Sequence, residues 1–204
     1  MAPTELTERP VQLRGSALAR AVLRAAGWRI VFDGLPAAQG VVVLYPHTSN
    51  WDFVLGIMAK WAIGIPVTFW SKASLFRFPL FGRWLRWMGG VPVVRDAPQG
   101  ATSQMAQAMR VAVAEQGFMW LALSPEGTRS MSKGWRTGFY QVAAQADVPV
   151  ALAMFDFAQR RVGIDSCWRV SGDMHADLAV FAQRLAQYRG FAPHRAAPIR
   201  AIEK

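Results

Sequence analysis

The sequence predicts a single layered α/β domain, in which helices flank a mixed, largely buried β-sheet and an amphipathic helix lies near the N-terminus. Short uncharged apolar runs, such as GVVVLY (40–45) and VPVALAMF (148–155), fit strands that are buried on both faces. With 204 residues, 52% of them hydrophobic, the chain can bury one sizeable core. We therefore expect one domain over residues 13–189, between an N-terminal tail (1–12) and a loose C-terminal tail (190–204).

The elements follow one another along the chain, and each has a local reason. The first helix, residues 13–28, carries apolar side chains on one face and Arg20 and Arg24 on another. Uncharged runs rich in β-branched or aromatic residues predict strands at 40–45, 66–70, 118–123 and 148–155, and GGVPVVRD (89–96) predicts a short strand opened by glycines. Apolar residues at helical spacing predict helices from Trp51 and over 80–88, 102–115, 139–145 and 177–188. The stretch RVGIDSCWRV (161–170) is expected to form a hairpin.

The charge of the chain narrows its possible partners. A net charge of +10 and a pI near 11.0 favour an anionic partner, which can be nucleic acid, anionic lipid or a phosphorylated substrate. Nine tryptophans and twelve phenylalanines suit a membrane interface, and they also suit stacking on single-stranded bases. The basic first helix also allows two interpretations, because such helices pack on soluble domains and also lie on membranes.

Cysteine usage and apolar stretches bear on where the protein works. The single Cys167 allows no intramolecular disulfide, which favours the cytoplasm. The first residues, MAPTELTERPVQLRG, lack the apolar core and the small-residue cleavage site of a signal peptide. The stretch most like a membrane span, residues 53–70, contains Lys60 and Pro66, so we predict no transmembrane helix.

A histidine and an aspartate stand where the strand at 40–45 gives way to a helix. In PHTSNWDFVLG, His47 precedes the helix and Asp52 lies in its first turn. A histidine can remove the proton of a hydroxyl that attacks a thioester, and a carboxylate can fix its tautomer and stabilise the imidazolium. The alternative is structural, since acidic residues are common in the first turn of a helix, where they interact with its dipole.

A second polar stretch follows the strand at 118–123. SPEGTRS carries Glu126, Gly127, Thr128 and Arg129 in a loop. Glycine lets the backbone approach a ligand closely, and arginine offers a planar fork of donors that suits a phosphate. Strand ends followed by Gly and Arg are also common turns, so this stretch alone leaves both interpretations open.

Together, H-x4-D and E-G-T-R resemble the glycerolipid acyltransferase family, which includes the 1-acylglycerol-3-phosphate acyltransferases. Two further blocks are similar in altered form: GGVPVVR has Pro92 where phenylalanine is usual, and VPVALA has Leu152 in place of a second proline. Ser124-Pro125 stands where the family usually has Phe-Pro. The four blocks occur in order over about residues 41–156. The departures lie at apolar, wall-forming positions, which leaves the acyl-chain and acceptor preferences open.

The resemblance implies an acyltransferase without an acyl-enzyme. A fatty acyl group would pass from acyl-CoA or acyl-carrier protein to the hydroxyl of a lysophospholipid, with His47 as general base and Asp52 as its partner. The expected acceptor is 1-acylglycerol-3-phosphate, and another lysolipid or a specialised lipid hydroxyl is the alternative. No cofactor is implied beyond the acyl thioester, which is a co-substrate.

The resemblance also implies which residues bind the acceptor. Arg129 would clasp the phosphate, Glu126 would orient the loop, and the two residues between them would supply backbone and hydroxyl contacts. Arg95 would reach the phosphate from the facing segment. Lys72, in FWSKASLF, either adds a cationic contact or is a solvated surface lysine.

Other classes of function fit less well. A serine hydrolase would need an elbow such as G-x-S-x-G, and neither Ser49 nor Ser124 lies in one. His47, His175 and His194 are scattered and belong to no metal-binding motif, so no metal is expected. The non-enzyme alternative is a basic nucleic-acid-binding domain, although no nucleic-acid-binding motif accompanies the charge. Nothing in the sequence predicts an oligomeric state.

The segment FRFPLFGRWLRW (76–87) interleaves aromatic side chains with three arginines. Presented together, the rings and the cationic groups would dock on an anionic membrane surface. In the alternative, Leu80, Trp84 and Trp87 form the inner face of an ordinary core helix, because they are spaced four and three residues apart. We expect a cytoplasmic protein that is peripheral on the inner face of the cell membrane.

Overall fold

The computed structural model describes residues 2–93 and 100–202. These residues form one sheet of eight strands, six α-helices and two short 3₁₀ helices. The strands are β1 (Thr4–Leu6), β2 (Arg29–Val31), β3 (Gln39–Tyr45), β4 (Thr68–Lys72), β5 (Gly90–Val93), β6 (Met119–Leu123), β7 (Val150–Asp156) and β8 (Arg161–Arg169). The helices are α1 (Ala17–Ala25), α2 (Trp51–Ile63), α3 (Pro79–Trp87), α4 (Gly100–Ala114), α5 (Gly138–Ala146) and α6 (Met174–Leu185), and the 3₁₀ helices are Ala73–Arg77 and Pro193–Arg195. The predicted α/β domain with a mixed sheet is confirmed.

The sheet has a parallel centre. Its strand order is β1-β8-β7-β3-β6-β4-β5, and β2 also pairs with β8. The strands from β7 to β5 run parallel to one another, whereas β8 is antiparallel to β7. Because parallel neighbours point in the same direction, the loops that follow β3, β4 and β6 all leave the sheet at one edge, which we call the carboxyl edge.

Helices cover both faces of the sheet. Val41 and Val43 of β3 pack in one core cluster with side chains of α5 and α6, whereas Val42 belongs to a second cluster with Ile63 of α2. This alternation follows from the two-residue period of a strand. Every residue of β7 is buried, and so is Cys167 of β8. Burial on both faces explains why the central strands carry uncharged apolar runs.

Both ends of the chain are more ordered than the sequence predicted. Thr4–Leu6, within the expected N-terminal tail, pairs with β8. The expectation of a loose C-terminal tail is wrong for residues 190–202, which we call the C-terminal strap. Ala197 is fully buried there, and its carbonyl accepts a hydrogen bond from Tyr45 Oη. The backbone N–H and C=O groups of the strap make most of its hydrogen bonds to the rest of the protein, and residue types do not reveal such bonds.

Two other expectations are corrected by the structure. Arg161–Arg169 is one continuous strand, and the hairpin is formed between β7 and β8. The turn lies before β8, where Arg160 adopts a left-handed φ of 50°. Helix α1 is shorter than predicted, because it begins after Ser16, whose Oγ accepts a hydrogen bond from the N–H of Ala19. Of the helices in residues 2–93 and 100–202, none combines the length and the apolar character needed to cross a bilayer.

Candidate active site

The predicted site residues lie in loops at the carboxyl edge of the sheet. Strand β3 ends at Tyr45, shortly before His47, and its neighbour β6 ends at Leu123, shortly before Glu126. Strand β4, on the other side of β6, ends at Lys72. The strand order therefore brings together three loops that are far apart in the sequence.

Asp52 is buried in the first turn of α2 and organises the loop before it. Its Oδ2 accepts hydrogen bonds from the backbone N–H groups of Thr48 (2.6 Å) and Ser49 (2.8 Å). These bonds fix the carboxylate and offset part of the cost of burying it. Asp52 therefore has the structural role of closing the loop, and this role also determines where the carboxylate stands relative to His47.

The imidazole of His47 lies beside this carboxylate. His47 Nδ1 is 3.3 Å from Asp52 Oδ2, and the His47 side chain is 22% exposed whereas that of Asp52 is not exposed. The angle between the two groups falls outside hydrogen-bond geometry, and within the described residues Nδ1 has no other hydrogen-bond partner. Hydrogen bonds of catalytic groups are often misaligned without substrate and tighten in the reacting complex. His47 Nδ1 and Asp52 Oδ2 thus lie just outside hydrogen-bond geometry, and the role of the pair as base and orienting group stays a prediction.

Glu126 connects the two loops to the C-terminal strap. Its Oε2 accepts a hydrogen bond from the backbone N–H of His47 (2.6 Å), and its Oε1 accepts one from the backbone N–H of Ala197 (2.8 Å). Burial raises the pKa of Glu126 to about 7, the nearby charge of Asp52 also raises it, and the two N–H donors act in the opposite direction. Glu126 thus holds the backbone on which the imidazole is mounted.

The loop turns sharply after Glu126. Gly127 has a left-handed φ of 65°, and its N–H donates to the carbonyl of Ser124 at 3.1 Å. A Cβ atom at this glycine would lie 2.9 Å from Nε of Arg136. Both the backbone conformation and the close approach of the arginine therefore favour glycine at this position. Thr128 contributes to the same turn, because its Oγ1 accepts a hydrogen bond from the N–H of Ser130 (3.3 Å).

Arg136 is a candidate site residue that sequence reasoning missed. Its N–H donates to the carbonyl of Pro125 (2.8 Å), and its side chain lies against Gly127. The segment before α5 therefore adds an exposed arginine to the loop that presents Arg129. The signal in the sequence is a single basic residue in KGWRTGF, which no spacing rule connects to E-G-T-R.

Two of the remaining predicted cations, Arg129 and Lys72, lie toward the same edge. Arg129 and Lys72 are both exposed, and Lys72 is paired in register with Val93 at the end of β5. The predicted binding residue Arg95 lies outside the described residues, two positions beyond Val93. The structure thus joins His47, Asp52 and Glu126 by direct contacts, while the part of the three cations in binding stays a prediction.

This arrangement is suited to proton transfer near an anionic group. A partly exposed imidazole next to a buried carboxylate can remove a proton from a hydroxyl, and arginines nearby can bind a phosphate. In the part of the chain that the structure describes, no group of three or more His, Cys, Asp and Glu side chains is arranged to hold a metal ion. That the reaction needs no metal stays a prediction.

Comparisons with known proteins identify the family of the chain and a similar fold. A family model described as acyltransferase matches residues 29–153, which include both loops of the site. Among solved structures, the chain is similar to PlsC, the 1-acyl-sn-glycerophosphate (LPA) acyltransferase from Thermotoga maritima, with 18% sequence identity and a TM-score of 0.50. The match covers 76% of this chain and 68% of that chain, and at this identity the likeness is one of fold. A search of curated proteins found no significant match.

Proposed function

The chain belongs to the acyltransferase family, and we propose that it transfers a fatty acyl group from an acyl thioester to the hydroxyl of a lysophospholipid, chiefly 1-acylglycerol-3-phosphate. The observation that carries the proposal is the position of His47, 3.3 Å from the buried Asp52 and bound through its backbone by Glu126. The name of the structurally similar PlsC supports the choice of acceptor. Another lysolipid or a specialised lipid hydroxyl is the alternative acceptor.

His47 and Asp52, which we call the dyad, catalyse direct transfer of the acyl group from the thioester to the acceptor. With Nδ1 facing Asp52, His47 uses Nε2 to take the proton of the acceptor hydroxyl while the hydroxyl oxygen attacks the thioester carbonyl carbon. The tetrahedral intermediate then collapses, the carbon–sulfur bond breaks, and the leaving thiolate takes the proton from the imidazolium. Asp52 fixes the tautomer and stabilises the imidazolium, as in a serine hydrolase triad in which the hydroxyl of the substrate replaces the serine.

Cationic side chains at the carboxyl edge bind the phosphate of the acceptor. Arg129 provides a planar fork for two phosphate oxygens, and Arg136, which lies against the same loop, adds a second guanidinium. Lys72, at the end of β4, adds to this cationic surface, and Arg95, which lies outside the described residues, is expected to bind the same phosphate. These groups bind a phosphate that is present before and during the reaction, so their main effect is on acceptor affinity.

The donor and the location follow from charge and from the nature of the acceptor. Acyl-CoA and acyl-carrier protein both carry an anionic phosphopantetheine, which suits a chain of net charge +10. No cofactor is needed besides this co-substrate. The single cysteine favours the cytoplasm, and because the acceptor is a membrane lipid, the protein works there as a peripheral protein on the inner face of the membrane.

The test is a panel of lysolipids offered with each donor. We expect release of free thiol from the thioester that depends on the lysolipid, with 1-acylglycerol-3-phosphate giving the highest rate and a diacyl product identified by mass spectrometry. A higher rate with an acceptor that lacks a phosphomonoester would favour the alternative acceptor. Absence of transfer with every acceptor, together with tight binding of nucleic acid, would replace the proposal with the non-enzyme alternative.

A further inference from the structure

An unusual set of apolar side chains is exposed on α3 and the elements next to it. Seven large apolar side chains of this region face solvent, and we call them the aromatic face: Trp61, Leu75, Phe78, Leu80, Phe81, Trp84 and Trp87. Leu80 is 84% exposed and Trp87 is 74% exposed. Monomeric soluble proteins rarely leave a contiguous apolar patch of this kind without an interaction to serve.

The packing of α3 excludes the core-helix alternative. In this helix the buried residues are Gly82 and Leu85, whereas Leu80 and Trp87 point outward. Gly82 approaches the preceding 3₁₀ helix so closely that a Cβ atom would lie 2.7 Å from the carbonyl oxygen of Phe76. The glycine side of α3 is therefore the side that packs against the protein, and the rings are turned to the surface.

A ring contact joins the aromatic face on α3 to α2, and a second joins two rings within α3. The ring centroids of Trp61 and Trp87 are 6.3 Å apart, and those of Phe81 and Trp84 are 5.4 Å apart. On α2, the exposed Val54 lies three residues after Trp51, and Trp61 lies seven residues after Val54. These spacings place all three residues on one stripe of the helix. This stripe leads from the aromatic face to Trp51, the residue next to Asp52.

The charges around this face are of one sign. Residues 51–93 contain four exposed basic side chains, Lys72, Arg77, Arg83 and Arg86. The fifth, Lys60, is half-buried and donates a hydrogen bond to the carbonyl of Met88, and the one acid, Asp52, is buried in the active site. The guanidinium of Arg86 lies over the ring of Phe76 at 5.2 Å. Cationic groups beside exposed aromatic rings match an anionic lipid surface, in which the rings enter the interface and the cations meet head groups.

We infer that the aromatic face docks the protein on an anionic bilayer and sets the active site at the membrane surface, where an acyl-chain acceptor can enter beside Trp51. A second copy of the chain fits this face poorly, because it would bring arginines against arginines. The inference rests on the proposed function for its biological use, but docking itself can be measured without catalysis.

The binding test uses the full chain and vesicles of phosphatidylcholine with or without phosphatidylglycerol, in co-sedimentation without substrate. We expect binding to the anionic vesicles that weakens with salt without vanishing, and a loss of about tenfold or more in the partition coefficient for Phe78→Ser with Trp87→Ser. The matched control is Val111→Ser with Phe118→Ser, which replaces exposed apolar residues of α4 and the loop after it, and it should bind like wild type.

A second measurement separates docking from catalysis. The Phe78→Ser, Trp87→Ser variant should keep wild-type thiol release with a short-chain acceptor dissolved as monomers and lose activity with the acceptor embedded in anionic vesicles. If this variant co-sediments with anionic vesicles as the wild type does, the docking surface is wrong. It is also wrong if analytical ultracentrifugation shows a dimeric wild type and a monomeric variant, because the aromatic face would then bind a second copy of the chain. If the wild type docks but transfers no acyl group to any acceptor, the proposed function fails while the docking surface stands.

Discussion

Two neighbouring regions of this protein place their side chains in opposite ways. In the active site, the carboxylates of Asp52 and Glu126 are buried and held by backbone N–H groups. On the aromatic face, which reaches the same helix α2, large apolar side chains are left in water. Burying a charge and exposing a ring both cost stability, so neither region is explained by folding alone. The buried carboxylates fix a geometry, whereas the exposed rings offer a surface.

The largest effect is expected on acyl transfer, from substitutions of the two residues of the dyad. His47→Ala removes the base and should abolish transfer, and Asp52→Asn should lower kcat at least about a hundredfold, because the imidazolium loses its partner. Thermal melts should stay close to wild type. His194→Ala, at an exposed histidine in the strap, is the control for loss of an imidazole. Turnover like wild type in either dyad variant would exclude the proposed mechanism.

Two leucines of α3 sharpen the contrast within one helix. Leu85 is 2% exposed, so Leu85→Ala should lower the free energy of unfolding by about 2 to 5 kcal/mol. Leu80→Ala, at the most exposed residue of the aromatic face, should change it by less than about 0.5 kcal/mol. Urea unfolding of both variants measures the difference. Equal losses would show that Leu80 belongs to the core after all.

The raised pKa of the buried Glu126 should make the free energy of unfolding depend on pH. Because burial raises this pKa to about 7 from a usual value near 4.5, the folded chain binds more protons than the unfolded chain between these values. The stability that the protonated acid provides is present below pH 4.5 and is lost as the pH rises through 7, by up to about 3 kcal/mol.

Glu126→Gln keeps the shape of the side chain and removes this titration. The free energy of unfolding of wild type minus that of the variant should therefore decrease as the pH is raised from about 5 to 8. Parallel urea titrations across this range give the difference. A difference that stays constant with pH would mean that Glu126 titrates alike in the folded and unfolded chains.

The smallest effect is expected at the exposed cations, where water already competes for the charge. Arg129→Lys replaces a planar fork by a point charge and should raise the KM for the acceptor about tenfold, with a smaller change in kcat. Arg136→Lys should act in the same direction if both guanidinium groups bind one phosphate. Steady-state kinetics with each substrate varied in turn provides the measurement. A raised KM for the thioester donor alone would assign this loop to the donor.

Residue types predicted the parts of the molecule that depend on side chains. The uncharged run before His47 identified a central strand, and the spacing of His47 and Asp52 identified a pair that the structure places 3.3 Å apart. The backbone N–H of Ala197, which binds Glu126, could not be predicted, because every residue except proline has this group. Arg136 could not be predicted as a site residue for a related reason, since its position beside Gly127 depends on the path of the loop.

The sequence did not determine which side of α3 packs against the protein, and the reason is different. Leu80, Trp84 and Trp87 have the spacing of a core face, and hydrophobic periodicity predicts that such a face is buried. The structure buries Gly82 and Leu85 instead, because a glycine allows the closest approach of the helix to the preceding turn. Periodicity identifies the faces of a helix, but close packing at a small residue can decide which of them is turned inward.

The burial of Cys167 gives the experimenter a protein without a reactive thiol. Burial raises the pKa of this thiol to about 12, and the chain has no other cysteine. Chromogenic disulfide reagents should therefore report the thiol released from the donor against a negligible protein background. A cysteine introduced by Phe78→Cys would be the single site for an environment-sensitive fluorophore. Its emission would then report in real time whether that position leaves water when vesicles are added.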